Sequence, residues 1–243
     1  MRLRVLVDQP AEPAWNMAVD EALLQSASMP TLRLYGWQPH AVSLGYFQAA
    51  ADFADLPAGT PVVRRLTGGG AICHGDEVTF ALALDAASLP PVIADGYALL
   101  HDAVLAALRD VGVTATRLHV GHPQAARPAE RWCFSVPGQG DLVTPAGKLL
   151  GSAQRRIRVP KSRVLHHGSL VLHRPVLTPF VAAVADTASA MTSRPALHAA
   201  LIDHLAAALA MTPIPGERTA AETALAAQLQ RARYGSPAFT FSR

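Results

Sequence analysis

Two short segments of this chain combine residue types that acyl transfer needs. Residues 64–74 read RRLTGGGAICH, so two arginines stand just before three consecutive glycines. Glycine lets a ligand approach the main chain, and successive backbone N–H groups can form an anion-binding concavity. Residues 147–156 read GKLLGSAQRR and place Lys148 shortly before a Gly-Ser-Ala turn. Either run alone is also typical of a plain turn. Together they predict a pocket that holds a carbonyl- or phosphate-bearing substrate against backbone donors and a lysine.

The two cysteines limit the reactions and sites that this chain could support. Cys73 and Cys133 are the only cysteines among 243 residues, too few for a disulfide framework. A single cysteine of this kind can be a nucleophile or a buried apolar residue, and Cys73, inside the glycine-rich motif, is better interpreted as a packing residue. No Cys/His cluster has zinc-like spacing, so we predict no metal site.

Composition predicts a compact enzyme in one domain. Half of the residues are hydrophobic and 16% are charged, with a formal net charge of +3. We expect a single domain over residues 1–243, with an Ala-rich helical C-terminal part at 178–243. The apolar start carries charges and resembles a strand more than a signal peptide, and no apolar run is long enough to span a membrane. We therefore expect a cytoplasmic protein with no membrane partner.

The positive charge is concentrated in one stretch. Five basic residues fall within nine positions: Arg155, Arg156, Arg158, Lys161 and Arg163. This run is either a solvated loop or a docking patch for an acidic protein. Nucleic acid is not expected as a partner, because few aromatic residues interleave with the run to stack on bases.

Hydrophobic periodicity predicts an α+β fold with helices packed on a sheet. Strands are expected at 2–7, 32–35, 41–44, 62–65, 78–84 and 164–173, with a hairpin formed by 141–144 and 148–158. Helices are expected at 15–26, 92–111, 179–190, 195–210 and 218–234, the second of them ended by Gly112 at a C-cap position.

In order along the chain, these motifs resemble the lipoate–protein ligase, octanoyltransferase and biotin–protein ligase superfamily. The resemblance covers residues 16–24, 32–37, 42–48, 64–74, the DLV at 141–143, GKLLGSAQ at 147–154 and HHGSL at 166–170. It implies a mixed, largely antiparallel sheet flanked by helices. It also implies a narrow tunnel for an eight-carbon acyl chain, octanoyl or lipoyl.

The resemblance also assigns roles to residues. Lys148 is expected near the acyl carbonyl, where it would stabilise the developing oxyanion; the alternative is a surface lysine in a hairpin. The substrate-binding residues implied are Arg64, Arg65, Thr67, Gly68, Gly69, Gly70, His74, Gly151, Ser152, Ala153, Gln154, His167, Gly168 and Ser169. The glycines at 68–70 would let the acyl chain lie against bare backbone. His101 and His198 lie in helical runs and are not expected to be functional.

Cys133 distinguishes the reactions of this superfamily. Residues 132–137 read WCFSVP, and one transferase branch, ligase-like in sequence, carries Cys-Phe in this loop. That resemblance implies octanoyl transfer from acyl carrier protein through a Cys133 thioester, with Arg131 and Lys148 holding the thiolate. The acceptor would be the lysine of a lipoyl domain, in a 2-oxoacid dehydrogenase subunit or the glycine cleavage H protein, and no cofactor would be needed.

Three alternatives stay open at this stage. A variant of the transferase would shuttle octanoyl between two lipoyl-bearing proteins. Gly70 is more typical of the ATP-dependent lipoate–protein ligases, which would need ATP and Mg²⁺. A protein of another class, a non-catalytic binder of acylated domains, would not need Cys133 and Lys148.

Overall fold

The computed structural model describes residues 1–119, 131–158, 161–187 and 193–243. Within these ranges, helices cover two β-sheets. The strands are β1 (Arg2–Val7), β2 (Thr31–Tyr35), β3 (Ala41–Leu44), β4 (Val62–Arg64), β5 (Ile72–His74), β6 (Glu77–Asp85), β7 (Thr116–Arg117), β8 (Leu142–Thr144), β9 (Gly147–Ile157), β10 (Arg163–Val171) and β11 (Thr212–Pro215). The α-helices are α1 (Pro13–Ser26), α2 (Ile93–Asp110), α3 (Arg194–Ala208), α4 (Ala220–Leu229) and α5 (Pro237–Thr240).

The larger sheet has eight strands in the order β11-β1-β2-β6-β10-β9-β8-β7. Its β1 pairs in parallel with β2 and β11, and its other pairings are antiparallel. The smaller sheet has the order β4-β3-β5. The predicted α+β class, a largely antiparallel sheet flanked by helices, is confirmed.

Strand β6 shows how the sequence fills both faces of the larger sheet. Alternate side chains of a strand point to opposite faces. Val78, Phe80, Leu82 and Leu84 join the cluster formed with α2 and α3, whereas Ala81 and Ala83 join the cluster formed with α1. The sheet is therefore an inner layer, and β6 and β10 are buried along nearly their whole length.

Pairing in the sheet brings distant motifs together. In β10, His167 lies opposite Ala81 of β6 on one side and opposite Ala153 of β9 on the other. The register of β10 with β9 thus sets the HHGS and GSAQ motifs side by side. The glycine-rich turn connects β4 and β5 of the smaller sheet, and it lines the same pocket as these two motifs.

The C-terminal part differs from the prediction in three places, one of them the short helix α5, which was not predicted. The helix expected at 179–190 is wrong, since the described residues up to 187 form only a short 3₁₀ turn, Val184–Asp186. Val181 and Ala183 are buried beside Phe134. The Ala182 N–H donates to the Lys148 carbonyl oxygen, so this segment is held in an extended form against β9. Strand β11, which was not predicted, extends the sheet beside β1. No helix in the described ranges is long and apolar enough to cross a membrane.

Candidate active site

A pocket of about 400 Å³, including its open mouth, lies between the two sheets. Its lining comes from α1, both sheets and the loops that carry the glycines and Cys133. The lining residues are Met17, Tyr35, Trp37, Ser43, Arg65, Gly68, Gly69, Ile72, His74, Thr79, Cys133, Gly151, Ser152, Ala153, His167, Gly168 and Ser169. Two motifs some seventy residues apart in sequence therefore form one site.

Cys133 and Lys148 meet at this pocket. The Lys148 ammonium donates to the Cys133 carbonyl oxygen at 3.1 Å and lies 3.6 Å from its Sγ. Lys148 is 2% exposed, so the alternative of a surface lysine is wrong. The half-buried thiol and the buried amine are therefore in direct contact.

Asp141 completes this group and was not among the predicted site residues. Its Oδ2 lies 2.7 Å from Lys148 Nζ and also accepts from the Gly138 N–H. Burial lowers the pKa of Lys148, but the negative charges of a Cys133 thiolate and of Asp141 outweigh it, and the pKa is raised. Lys148 thus keeps its positive charge although it is buried. The only sequence signal for Asp141 was its place in the DLV motif.

The glycine-rich loop holds the Cys133 segment by its backbone. The Ala71 N–H donates to the Arg131 carbonyl, and the Cys133 N–H donates to the Ala71 carbonyl, both at 2.8 Å. A Cβ at Gly70 would lie 2.7 Å from the Cys133 nitrogen, so only glycine fits there without a shift. Gly70 does not line the pocket, unlike Gly68 and Gly69. Gly70 instead allows close contact between the glycine-rich loop and the segment that contains Cys133.

The paired arginines face different surroundings. Arg65 lines the pocket and donates to the carbonyl oxygens of Ser43, Gly68 and Gly70, and burial lowers its pKa to about 10. Arg64 lies outside the lining. Its guanidinium donates to the carbonyl oxygens of Gly45, Tyr46, Gln48 and Thr240. Arg65 therefore shapes the pocket wall, whereas Arg64 ties the 45–48 loop to the C-terminal segment.

His74 lies in a buried polar network at one wall of the pocket. Its Nε2 is 2.7 Å from Ser43 Oγ and its Nδ1 is 3.0 Å from Glu77 Oε1. Glu77 Oε1 also accepts from Ser169 Oγ at 2.9 Å. The Trp37 ring stacks on His74 with 3.7 Å between centroids. This network fixes His74 and Ser169 as wall residues.

His167 forms a second buried network. Its Nε2 is 2.7 Å from Thr67 Oγ1, and its Nδ1 is 3.5 Å from Asp20 Oδ2. Burial raises the pKa of Asp20, but the hydrogen bond from His167 and the charge of Arg33 outweigh it, and the pKa is lowered. Thr67 itself is not part of the lining and contributes by orienting His167.

Three of the four residues of the GSAQ motif line the pocket. Gly151, Ser152 and Ala153 line the pocket, as does Gly168 on the neighbouring strand. Gln154 lies outside the lining, where its amide accepts from Arg156 at 2.9 Å.

His101, set aside at the sequence level, contacts the site from α2. Its Nδ1 lies 2.6 Å from the Gly140 carbonyl oxygen, and its Nε2 lies 2.6 Å from Ser152 Oγ. A carbonyl oxygen only accepts, so Nδ1 carries the hydrogen and Nε2 of the neutral ring accepts from Ser152. Burial lowers the pKa of His101, which favours this neutral ring. His101 thereby joins β9 to the turn that carries Asp141.

Two other residues near Cys133 have structural roles. The Arg131 guanidinium pairs with Asp55 at 2.7 Å and lies over the Phe53 ring, so it is not free to hold the thiolate as expected. Cys73 lies outside the acyl pocket, and burial raises the pKa of its thiol to about 11. In the described ranges, no three His, Cys, Asp or Glu side chains converge as metal ligands.

Comparison with known proteins agrees with this geometry. The lipoyl protein ligase A/B catalytic domain matches residues 12–211. The chain belongs to this family. The octanoyltransferase LipM of Kyrpidia tusciae is 34% identical over 93% of this chain and 94% of its own length. That of Brevibacillus brevis is 34% identical over 71% of this chain and 67% of its own length.

Solved structures with the same fold are similar over the full chain. A lipoate-protein ligase A bound with ATP has a TM-score of 0.81 and 25% identity, covering 99% of both chains. A T. acidophilum protein with bound lipoic acid has a TM-score of 0.81 and 25% identity, covering 100% of both. The predicted superfamily and the predicted acyltransferase activity, octanoyl transfer in lipoate assembly, are confirmed.

Proposed function

We propose that octanoyl transfer by this chain proceeds through a thioester on Cys133, from acyl carrier protein to the lysine of a lipoyl domain. The observation that carries this proposal is the contact of the buried Lys148 ammonium with Cys133 at the wall of the acyl pocket. The acceptor domain belongs to a 2-oxoacid dehydrogenase subunit or to the glycine cleavage H protein.

In the first step, the Cys133 thiolate attacks the thioester carbonyl carbon of the donor. The bond from that carbon to the donor sulfur breaks, and the departing thiolate takes a proton from solvent. The tetrahedral intermediate carries an oxyanion that needs a donor. The Cys133 N–H cannot be this donor, because it already donates to the Ala71 carbonyl oxygen. Lys148 Nζ lies 3.6 Å from Sγ, so the N–H on that side makes only a long contact and is available to the oxyanion. Lys148 is therefore the oxyanion donor.

In the second step, the neutral amine of the acceptor lysine attacks the Cys133 thioester. The carbon–sulfur bond breaks, an amide forms, and the proton lost by the amine returns to the thiolate or to solvent. Both bonds broken are thioester bonds, so the reaction has no step that ATP must drive. We accordingly expect no cofactor.

The pocket supplies binding energy for the acyl chain. Glycine backbone at 68, 69, 151 and 168 and the side chains of Met17 and Ile72 form part of its wall. Burying about six methylenes at ~0.8 kcal/mol each contributes roughly 5 kcal/mol before the cost of ordering the chain. This energy holds the carbonyl carbon beside Cys133.

An ATP-dependent lipoate–protein ligase is the second candidate, favoured by the similarity to an ATP-bound ligase. Under that function, Lys148 would face an acyl phosphate, and ATP and Mg²⁺ would be needed. Gly70, typical of ligases, does not favour it here, because its contact with the Cys133 backbone accounts for the glycine.

One assay separates the two functions. Purified acceptor lipoyl domain is incubated with the protein and either octanoyl-acyl carrier protein alone or octanoate with ATP and Mg²⁺, and mass spectrometry records the acceptor. We expect a mass increase of one octanoyl group with the carrier protein alone. Modification only with octanoate and ATP would contradict the transferase mechanism and establish the ligase.

A further inference from the structure

Two exposed guanidiniums lie on one aromatic pair at the edge of the site. Arg243 lies over the ring of Tyr46 at 4.7 Å and over that of Phe47 at 5.6 Å. Arg155 lies over the Tyr46 ring from β9 at 5.9 Å. Arg64 is buried under the loop formed by residues 45–48, and its guanidinium donates a hydrogen bond to the Tyr46 carbonyl oxygen. We call Arg64, Arg155 and Arg243 the arginine cluster.

In the described part of the chain, no side-chain carboxylate forms an ion pair with Arg64, Arg155 or Arg243. Two other buried arginines, Arg4 and Arg33, each have such a partner. Arg64 is fully buried, and its Nη2 has no hydrogen-bond partner. Burial and the charge of Arg243 lower the pKa of Arg64. An anion bound here would relieve this repulsion.

The arginine cluster borders the acyl pocket and the Cys133 loop. The Tyr46 N–H donates to the Thr67 carbonyl of the glycine-rich loop at 2.8 Å. Gln48 donates to the Arg131 carbonyl, two residues before Cys133, at 2.8 Å. Phe47 is 71% exposed and packs beside Gly68, which lines the pocket. A substrate whose thioester reaches Cys133 therefore extends past this rim.

The neighbouring basic residues contact other parts of the protein and not the Tyr46 ring. Arg156 donates to Gln154 and to the Pro90 carbonyl, and Arg163 donates to the carbonyl oxygens of Ala27 and Leu23 at the end of α1. Arg158 is exposed and does not contact the Tyr46 ring. Of the basic run, Arg155 alone among these four faces the rim of the pocket.

We propose that Arg155 and Arg243, with the buried positive charge of Arg64 beneath them, bind the phosphate of the phosphopantetheine arm that carries the donor's acyl thioester. This inference rests on the proposed function, since it assumes a thioester donor of that class. The phosphate lies at the opposite end of the arm from the sulfur, so it stays outside the pocket when the thioester meets Cys133. Guanidiniums form strong, charge-assisted hydrogen bonds to phosphate, and the exposed Phe47 ring offers an apolar surface to the arm.

Two small donors that differ only in the phosphate test this inference. Octanoyl-4′-phosphopantetheine and octanoyl-pantetheine are compared by the kcat/KM of Cys133 acylation, in the full-length protein and in Arg155→Gln/Arg243→Gln. We expect the wild type to prefer the phosphorylated donor by about tenfold or more, since hydrogen bonds between charged groups contribute about 1.5–3 kcal/mol. The double variant should treat the two donors alike. Arg158→Gln, an exposed arginine of the same run, is the matched control and should keep the preference.

Binding is measured in parallel by titration calorimetry with 4′-phosphopantetheine and pantetheine, which carry no acyl group. If octanoyl-acyl carrier protein does not acylate Cys133 but the phosphorylated arm binds through the arginine cluster, the proposed function fails and the phosphate site stands. Equal kcat/KM and equal binding for the two arms in the wild type would overturn the phosphate site. A preference that survives in the double variant would also overturn it. If the double variant instead loses only an activity that needs octanoate and ATP, the cluster binds a nucleotide phosphate and the proposal is wrong.

Discussion

The ammonium of Lys148 contacts Cys133 twice, 3.1 Å from its carbonyl oxygen and 3.6 Å from its Sγ. The first contact fixes the amine on the backbone of the nucleophile's own residue. The ion pair with Asp141 at 2.7 Å fixes it from the other side. The remaining N–H lies beside Sγ, and under the proposed mechanism it donates to the acyl oxygen once the carbonyl carbon bonds to sulfur.

Replacing Lys148 tests its role as oxyanion donor. We expect Lys148→Ala to lower the rate of Cys133 acylation by on the order of 10²–10³, as the loss of an oxyanion donor does. Because Lys148 is 2% exposed, the variant also leaves Asp141 unpaired and loses stability. Lys148→Met retains the apolar stem, so thermal unfolding of both variants separates fold from chemistry. Lys161→Ala, at an exposed lysine, is the control. A Lys148→Met rate within a few-fold of wild type would remove Lys148 from the mechanism.

Asp141 should control the alkaline limit of the reaction. The charges of Cys133 and Asp141 raise the pKa of Lys148 above its ordinary value, so the ammonium form persists to higher pH. Asp141→Asn removes one of these charges and lowers the pKa of Lys148. We therefore expect the acylation rate of the variant to decline at lower pH than that of the wild type. The pH–rate profile in single-turnover experiments measures this shift, with Asp102→Asn, an exposed carboxylate of α2, as the control. Superimposable alkaline limbs would show that Asp141 does not act through Lys148.

His101 is expected to act as a positioning residue for the Asp141 turn. We expect His101→Ala to lower kcat roughly 10- to 100-fold, because small displacements of catalytic groups have effects of that size. The KM for the donor should change little, since the ring bonds Gly140 and Ser152 and does not line the pocket itself. His101→Asn keeps a donor near the Nδ1 position and should restore part of the activity. If kcat is unchanged in a less stable His101→Ala protein, the residue only supports the fold.

Gly70 should tolerate no side chain. In Gly70→Ala the new Cβ would lie 2.7 Å from the Cys133 nitrogen, so the Cys133 segment must shift. We expect slower acylation of Cys133 and a lower melting temperature. At Gly75 the nearest atom to a new Cβ is 3.7 Å away, an ordinary contact, so Gly75→Ala is the matched control. Equal acylation rates in the two variants would contradict the role given to Gly70.

The sequence predicted the strands of the sheet well because their local patterns agree with their burial. The expected strand at 78–84 is β6 (Glu77–Asp85), and the expected helix at 92–111 is α2, followed by Gly112 with a φ of +78°. The helix expected at 179–190 relied on alanine content. In the structure the Ala182 N–H of this segment donates to the Lys148 carbonyl oxygen, a partner distant in sequence that no local pattern reveals. Strand β11, with two prolines, reads as a loop and forms only because β1 offers a free edge.

The site was predictable where one motif carries both the residue and its position. Cys133 and Lys148 lie in segments that the family resemblance identifies, and the structure brings them into contact. His101 was missed, because a buried histidine on an amphipathic helix has no local signal and its two partners lie elsewhere in the chain. The paired arginines were assigned together, yet neighbouring residues at a strand end point to opposite sides, so only Arg65 faces the pocket.

The central claim is that the octanoyl group rests on Cys133 during transfer. The most direct measurement is mass spectrometry of the protein after incubation with octanoyl-acyl carrier protein and no acceptor. We predict one octanoyl group on Cys133, released by hydroxylamine as a thioester is. Cys133→Ala should lose both the adduct and the transfer, whereas Cys73→Ala, whose thiol lies outside the acyl pocket, should keep both. Full activity of Cys133→Ala that depends on ATP would contradict the account.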